Sequence, residues 1–347
     1  MTTADARIPG FPGDGDAHTS RTGRLAARML PIRLTQLAAW EAAIVAIPLT
    51  FGLVGLPGRL AIGIAALLVV ATTSVRVAGR HFAGWTLTWI SYRLLQHDDR
   101  KLARDPLLVL VPDFRMRQHI DRAGNRYGVV GVGDGWSAVL RVHGEPDVEA
   151  VSELLRKACD DAEIPLAGAQ LTIRTDGVAR AYLVAVRYRP ADAPLAALSR
   201  GRGELGELRA TTRAALGVLG TLAEAGYRAS VLEAGELAAE LRTSLGGPGP
   251  DAVVDDGWHA WSAGTVSHAA FAANADALGA HARGALFTVS SRTLIRTPGA
   301  GVREEITVRA AAGHAPPATR DFDVPVVTLY GRQEPAVRRS LPLALTR

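Results

Sequence analysis

Cysteine occurs once in the 347 residues, as Cys159, so no intrachain disulfide can form, and a long chain without one fits the reducing side of a membrane. Lysine is nearly missing too. Of 39 basic residues only Lys101 and Lys157 are lysines, so the pI of about 9.8 rests on arginine. High Ala, Gly and Arg at the expense of Lys is the mark of a GC-rich genome. The arginines are interspersed with acidic residues in the C-terminal part, without the aromatic interleaving or single basic face that a nucleic-acid site needs. Nucleic acid is discounted as a partner.

Signatures of chemistry are missing as well. There is no G-x-x-x-x-G-K-[ST] segment, which excludes a P-loop ATPase, and no G-x-S-x-G elbow, with Ser137 and Ser262 in unsuitable contexts. Zinc needs three or four ligands at close spacing. Here there is no H-E-x-x-H and no second cysteine, and the densest histidines, His259, His268 and His281, match no ligand spacing. The acid pairs Asp98-Asp99, Asp160-Asp161 and Asp255-Asp256 fall at predicted element ends or loops, where Asp caps or faces solvent. Cys159 borders a helical stripe of Val148, Val151, Leu155, Ala158 and Ala162 and reads as a buried, inert thiol. No catalytic, cofactor-binding or metal-ligating residue is assigned, and the chain is expected not to be an enzyme.

What is present is a crowd of apolar residues between Leu34 and Tyr92, which lifts the mean hydropathy to +0.11. Between Arg33 and Arg59 the only charge is Glu41, and between Arg59 and Arg76 there is none. Each run approaches the roughly 17 to 25 residues of a spanning helix, and Gly55-Leu56-Pro57-Gly58 supplies a tight turn between them. A transmembrane hairpin is therefore predicted over 34–79. Arg21, Arg24, Arg28 and Arg33 precede it and Arg76, Arg80, Arg93, Arg100 and Lys101 follow it, while Arg59 alone marks the loop, so both termini are predicted to be cytoplasmic. A cleaved signal peptide would begin its apolar part earlier.

Glu41 is the one ionisable group inside a span, near its cytoplasmic end. There it can snorkel to the headgroups, meet a partner's helix or, least in keeping with two short spans, serve transport. Beyond Arg80, Phe82, Trp85, Trp89 and Tyr92 recur at three- and four-residue spacing in an uncharged stretch. Such a face suits the membrane interface, and equally packing onto the domain or a partner subunit. These five residues are the candidate membrane or partner contacts.

The tail 1–33 is too poor in apolar content to fold, 80–104 reads as a juxtamembrane interfacial helix, and 105–347 as a cytoplasmic domain with 246–257 as its candidate subdivision. Strands are predicted over 126–132 and 136–142 about Gly133-Asp134-Gly135, and around 171–173 and 182–188, with alternation that reads as half-buried. Helices are predicted over 147–163, 204–226 and 233–245, a second hairpin over 285–296 and 303–310, and a last strand over 324–329. Strands and helices mix without βαβ alternation. The fold class is thus α+β, an N-terminal two-helix transmembrane hairpin followed by a mixed α/β cytoplasmic domain.

The basic tail, the two close spans, the Arg- and Trp-containing juxtamembrane stretch and the segment from Tyr127 through Gly128, Gly131, Gly133, Gly135 and Trp136 to Arg141 together resemble EccE, a component of the actinobacterial type VII (ESX) secretion system. The likeness covers roughly Arg21 to Tyr227. It implies a non-enzymatic subunit of an inner-membrane secretion complex, associated with lipids and assembled with EccB, EccD and the ATPase EccC, which would supply the energy. The competing reading is a membrane-tethered enzyme acting on nucleotide-activated or lipid substrates.

Overall fold

The computed structural model describes residues 76–77, 80–95, 100–102, 105–160, 163–249, 252–297, 301–313 and 315–346, with Gly55, Ile64 and Gly299 as single positions. Glu41 and nearly all of the 34–79 hairpin lie outside the described residues. Among the described residues no helix is long and apolar enough to cross a membrane.

The chain divides into two compact units, Met1–Thr86 and Leu87–Arg347. In the first, β1 (Arg76–Val77) and β2 (Arg80–His81) pair antiparallel, and α1 (Phe82–Leu95) begins. In the second, α1 is followed by β3 (Arg100–Leu102), α2 (Pro106–Leu110), β4 (Arg115–Ile120), β5 (Arg126–Val132), β6 (Gly135–Val142) and α3 (Val148–Cys159). Then come β7 (Gly168–Asp176), β8 (Ala179–Tyr188), α4 (Pro194–Leu198), α5 (Gly203–Glu224), β9 (Ala229–Val231) and α6 (Ala234–Ser244). The remainder is β10 (Val253–Asp256), β11 (Trp261–Ala263), β12 (Val266–Ala273), β13 (Phe287–Thr297), β14 (Gly301–Ala312), β15 (Val326–Thr328) and α7 (Gln333–Arg339).

Among the described residues, thirteen strands form one sheet in the order β3-β10-β11-β12-β14-β13-β7-β8-β6-β5-β4, with β15 joined to β12 and β9 to β6. Neighbouring strands run antiparallel, as in β13 against β7 and β7 against β8. The result is a mixed α/β domain dominated by an antiparallel sheet. Residues 246–257, where the sequence predicts a linker, contain β10, and the sheet continues through it to β3.

Both faces of the central strands are covered, which corrects the half-buried reading. Along β6, Ala138, Leu140 and Val142 pack with α3 and α5, whereas Val139 between them joins an opposite layer made by α2, α6 and the segment 341–345. Likewise Val184 and Val186 of β8 face one layer and Leu183 and Ala185 the other. Period-two alternation separates the two faces, but says nothing of whether the second is wet. On α3 the Asp147 side chain accepts from the N–H groups of Glu149 and Ala150, and Val151, Leu155 and Cys159, one turn apart, are buried.

The glycines of the β5–β6 hairpin serve different ends, one a backbone conformation and three a close approach. Gly133 has φ +57° at the turn, a conformation that other residues adopt at a cost. A Cβ on Gly128 would meet the Glu233–Ala234 backbone at 2.7 Å, on Gly131 the Trp136 ring at 2.8 Å, and on Gly135 the Arg187 guanidinium at 2.7 Å. Trp136, fully buried, donates through Nε1 to Glu207 at 2.7 Å, and Arg115 sits over its ring at 4.9 Å. The glycine run is a β-turn and a packing device, as its lack of G-x-G-x-x-G spacing indicates.

The C-terminal segment is part of the core. Leu341, Leu343, Ala344 and Leu345 are buried and fixed by polar groups of the sheet. Gln170 donates to the Arg339 carbonyl at 2.8 Å and accepts from the Leu343 and Ala344 N–H groups at 3.2 and 2.8 Å, while Ser137 donates to the Leu343 carbonyl at 2.6 Å.

Candidate functional site

Of the proposed contact residues, Glu41 lies outside the described residues and Phe82 falls within α1. Trp85 belongs to the first unit and is half-buried. From Leu87 onward α1 belongs to the second unit, and here the aromatic stripe divides. Thr88 and Tyr92, one turn apart, face the domain, whereas Trp89 and Ile90 remain 44% and 43% exposed.

The seat for Tyr92 is built by two loops. The β10–β11 turn is closed by the Gly257 N–H donating to the Ala260 carbonyl at 2.8 Å and presents Trp258 and His259. The segment after β15 presents Tyr330, and the Gly331 N–H donates to the Trp258 carbonyl at 2.9 Å. Gly331 has φ +63°, and a Cβ on it would collide with the Trp258 ring, so only glycine lets the loops close this tightly.

Within this frame Trp258 stacks on Tyr330 at 6.3 Å, Tyr92 meets Trp258 edge-on at 5.1 Å, and His259 meets Tyr330 edge-on at 5.2 Å. Tyr92 donates to the Asp256 carbonyl at 3.2 Å, and Arg332 donates to the Thr88 hydroxyl at 3.3 Å. The Asp256 side chain accepts from the Glu334 N–H in the first turn of α7, so one residue ties α1, β10 and α7 together. Sequence reasoning did not find Trp258, Tyr330 or Asp256 as a seat. Their signals, Gly-Trp and Tyr-Gly dipeptides, mark turns but carry no hint that two turns so far apart meet.

This arrangement clamps the second half of α1 against the two loops. Among the described residues no group of three or more His, Cys, Asp or Glu can hold a metal ion. The three densest histidines go separate ways: His259 to Tyr330, His268 into the core beside Arg309, and His281 toward Thr288. Cys159 is fully buried, and burial, with Asp160 adding to it, pushes its thiol up to about 12.

Residues 178–273 match the family model described as "EccE: Putative type VII ESX secretion system translocon, EccE". No curated protein matches the chain. The match covers less than half of the chain, from the turn before β8 to the end of β12, and so takes in Asp256, Trp258 and His259 of the seat. The glycine-tryptophan strand quoted above for the resemblance lies outside it. The EccE resemblance is thus shown over 178–273, of which 178–227 falls within the stretch from Arg21 to Tyr227 given for the likeness and 228–273 extends beyond it.

Proposed function

We propose that this chain is a non-enzymatic membrane subunit of a type VII (ESX) secretion complex and that its domain acts as a scaffold. In this reading 1–33 is a basic cytoplasmic tail, 34–79 a two-span hairpin in the inner membrane, 80–104 the juxtamembrane stretch and 105–347 the cytoplasmic domain, with both termini inside. EccB, EccD and the ATPase EccC are its assembly partners. The observation that carries the reading is the family match over 178–273. The Tyr92 seat supports it: a helix that follows an anchor is locked to the domain by stacking and hydrogen bonds, so the domain keeps a set orientation to whatever that helix contacts.

Affinity purification of the tagged full-length chain from detergent-solubilised membranes tests this. Co-elution of the ATPase and the other membrane subunits is expected. Recovery of the chain alone, a reporter after Arg347 that sits outside the cell, or a full-length protein soluble without detergent would each reject the reading.

A further inference from the structure

Beside the Gly133–Asp134 turn opens a cavity of about 190 Å³, lined by Arg187, Arg189 and Arg338 together with Leu345 and Thr346. Arg187 is only 4% exposed. It donates through Nη2 to the Val132 carbonyl at 2.7 Å and through Nη1 to the Ser137 hydroxyl at 3.3 Å, while its Nε is buried without an acceptor. Its only ion pair among the described residues is a distant one, 3.9 Å to Asp134, whose carboxylate is exposed and engaged by Arg189 at 3.0 Å. Arg338 has a buried Nε without an acceptor and no ion pair among the described residues. Against three guanidinium groups there stand, among the described residues, only Asp134 and Asp192, the latter 3.8 Å from Arg189.

A buried cation whose counter-ion is distant and exposed is costly, and the fold keeps it here by leaving no side chain at Gly135, where a Cβ would strike the guanidinium. Burial brings Arg187 down to about 10, and the charges of Arg189 and Arg338 press in the same direction against Asp134. An anion entering the cavity would add a counter-charge beside Arg187 and Arg338, which lack a close one among the described residues. The space lies below the roughly 300 to 1,000 Å³ that drug-sized ligands and cofactors occupy, so it admits a single charged group rather than a nucleotide. Converging guanidinium forks match a group that carries close to two negative charges on several oxygens better than they match a carboxylate.

We infer that Arg187, Arg189 and Arg338 form a binding site for one phosphate group at the β5–β6 turn. The site shares no residue with the Tyr92 seat and goes beyond the secretion reading, whose purification test is independent of it. The phosphate is either the free ion or a monoester on a small carrier.

Thermal unfolding and phosphorus NMR of the full-length protein in detergent, titrated with inorganic phosphate against sodium chloride at equal ionic strength, test this. A saturable rise in Tm with phosphate and broadening of its resonance are expected. Arg338→Gln and Arg189→Gln, which leave the buried Arg187 in place, are each expected to raise the half-saturating concentration roughly ten-fold, the loss of one charge-assisted hydrogen bond. Titration with glycerol 3-phosphate separates the sources: tighter binding than phosphate assigns a monoester, equal or weaker binding the free ion. An equal response to chloride, or variants that respond as the wild type does, would overturn the site.

Discussion

His268 lies fully buried, with Nε2 3.2 Å from the Leu245 carbonyl and Nδ1 2.9 Å from Arg309 Nη1. A guanidinium can only donate, so Nδ1 accepts, the proton sits on Nε2, and the ring is neutral. Burial first, then the charge of Arg309, hold its pKa well below the ordinary 6.5, against a smaller opposing contribution from the Leu245 carbonyl. Unfolded, the same histidine takes up a proton near pH 6.5; folded, it does not. The unfolded state therefore binds more protons in acid, and the stability present above pH 6.5 is lost as pH falls, by about 1.4 kcal/mol per unit until the folded pKa is reached. Urea denaturation at a series of pH values from 7 to 5 is expected to show this slope, and His268→Asn to flatten it. Parallel curves for the two proteins would reject the assignment. Cys159 gives a second test at this scale. With its thiol near 12, only about one molecule in ten thousand carries a thiolate at pH 8, and burial shields that one too. Iodoacetamide is expected to label the protein only as fast as it unfolds, and rapid labelling without denaturant would show that α3 opens.

Among the elements, the C-terminal segment depends most on contacts that lie far away in the chain. Gln170, wholly buried, satisfies one carbonyl and two N–H groups of residues 339–344, and Ala344 is held at φ +50°, where a non-glycine residue rarely stays unaided. Gln170→Leu keeps the volume but leaves those three groups without partners, at about 1 to 3 kcal/mol each before relaxation, so a loss of about 3 kcal/mol is expected. Ser137→Ala, which removes one hydrogen bond, is expected to cost about 1 kcal/mol. Urea midpoints measure both, and a Gln170→Leu protein as stable as the Ser137→Ala one would mean that the segment is held by its leucines alone. This dependence also explains what could be read in advance. The β5–β6 hairpin, α3, α5, α6 and the β13–β14 hairpin were legible because glycine turns and apolar periods are local signals. The second buried face was not, since Gln170, Thr172 and Arg187 look solvent-facing until a segment from the other end of the chain covers them. β12 was missed for a related reason: Val266–Ala273 is half alanine, a poor strand former, and is held as a strand by β11, β14 and β15. β4, with two arginines, a glutamine and a histidine in six residues, shows no strand pattern in the sequence, and is an edge strand, where charge is tolerated. The Tyr92 seat was half legible: the helix face could be seen in the sequence, its partner loops could not.

At the scale of the whole molecule, the question is what the outward part of α1 touches. Thr88 and Tyr92 are occupied by the domain, while Trp89 and Ile90 expose large apolar area, and Arg93 lies over the Trp89 ring at 5.8 Å. A single exposed apolar residue needs no explanation, but a tryptophan and an isoleucine side by side, next to a segment predicted to enter lipid, offer a surface for the headgroup region or for a neighbouring subunit. In the sequence Trp85 precedes Trp89 by four residues, the spacing of one helical turn. Each tryptophan can bury about 150 to 250 Å², and at about 25 cal/mol per Å² removing both withdraws several kcal/mol from such a contact, enough to lower recovery of an assembly by ten-fold or more. Replacement of Trp85 and Trp89 together by alanine is therefore expected to reduce either co-purification of the other membrane subunits or flotation of the chain with membranes. Which of the two falls tells whether the face meets a partner or lipid. The Tyr92 seat is left intact in this variant, so melting of the domain serves as the internal control. If subunit recovery and flotation both match the wild type while the melt is unchanged, the outward face of α1 has no part in assembly or anchoring, and the domain must be held by the hairpin and its sheet edges instead.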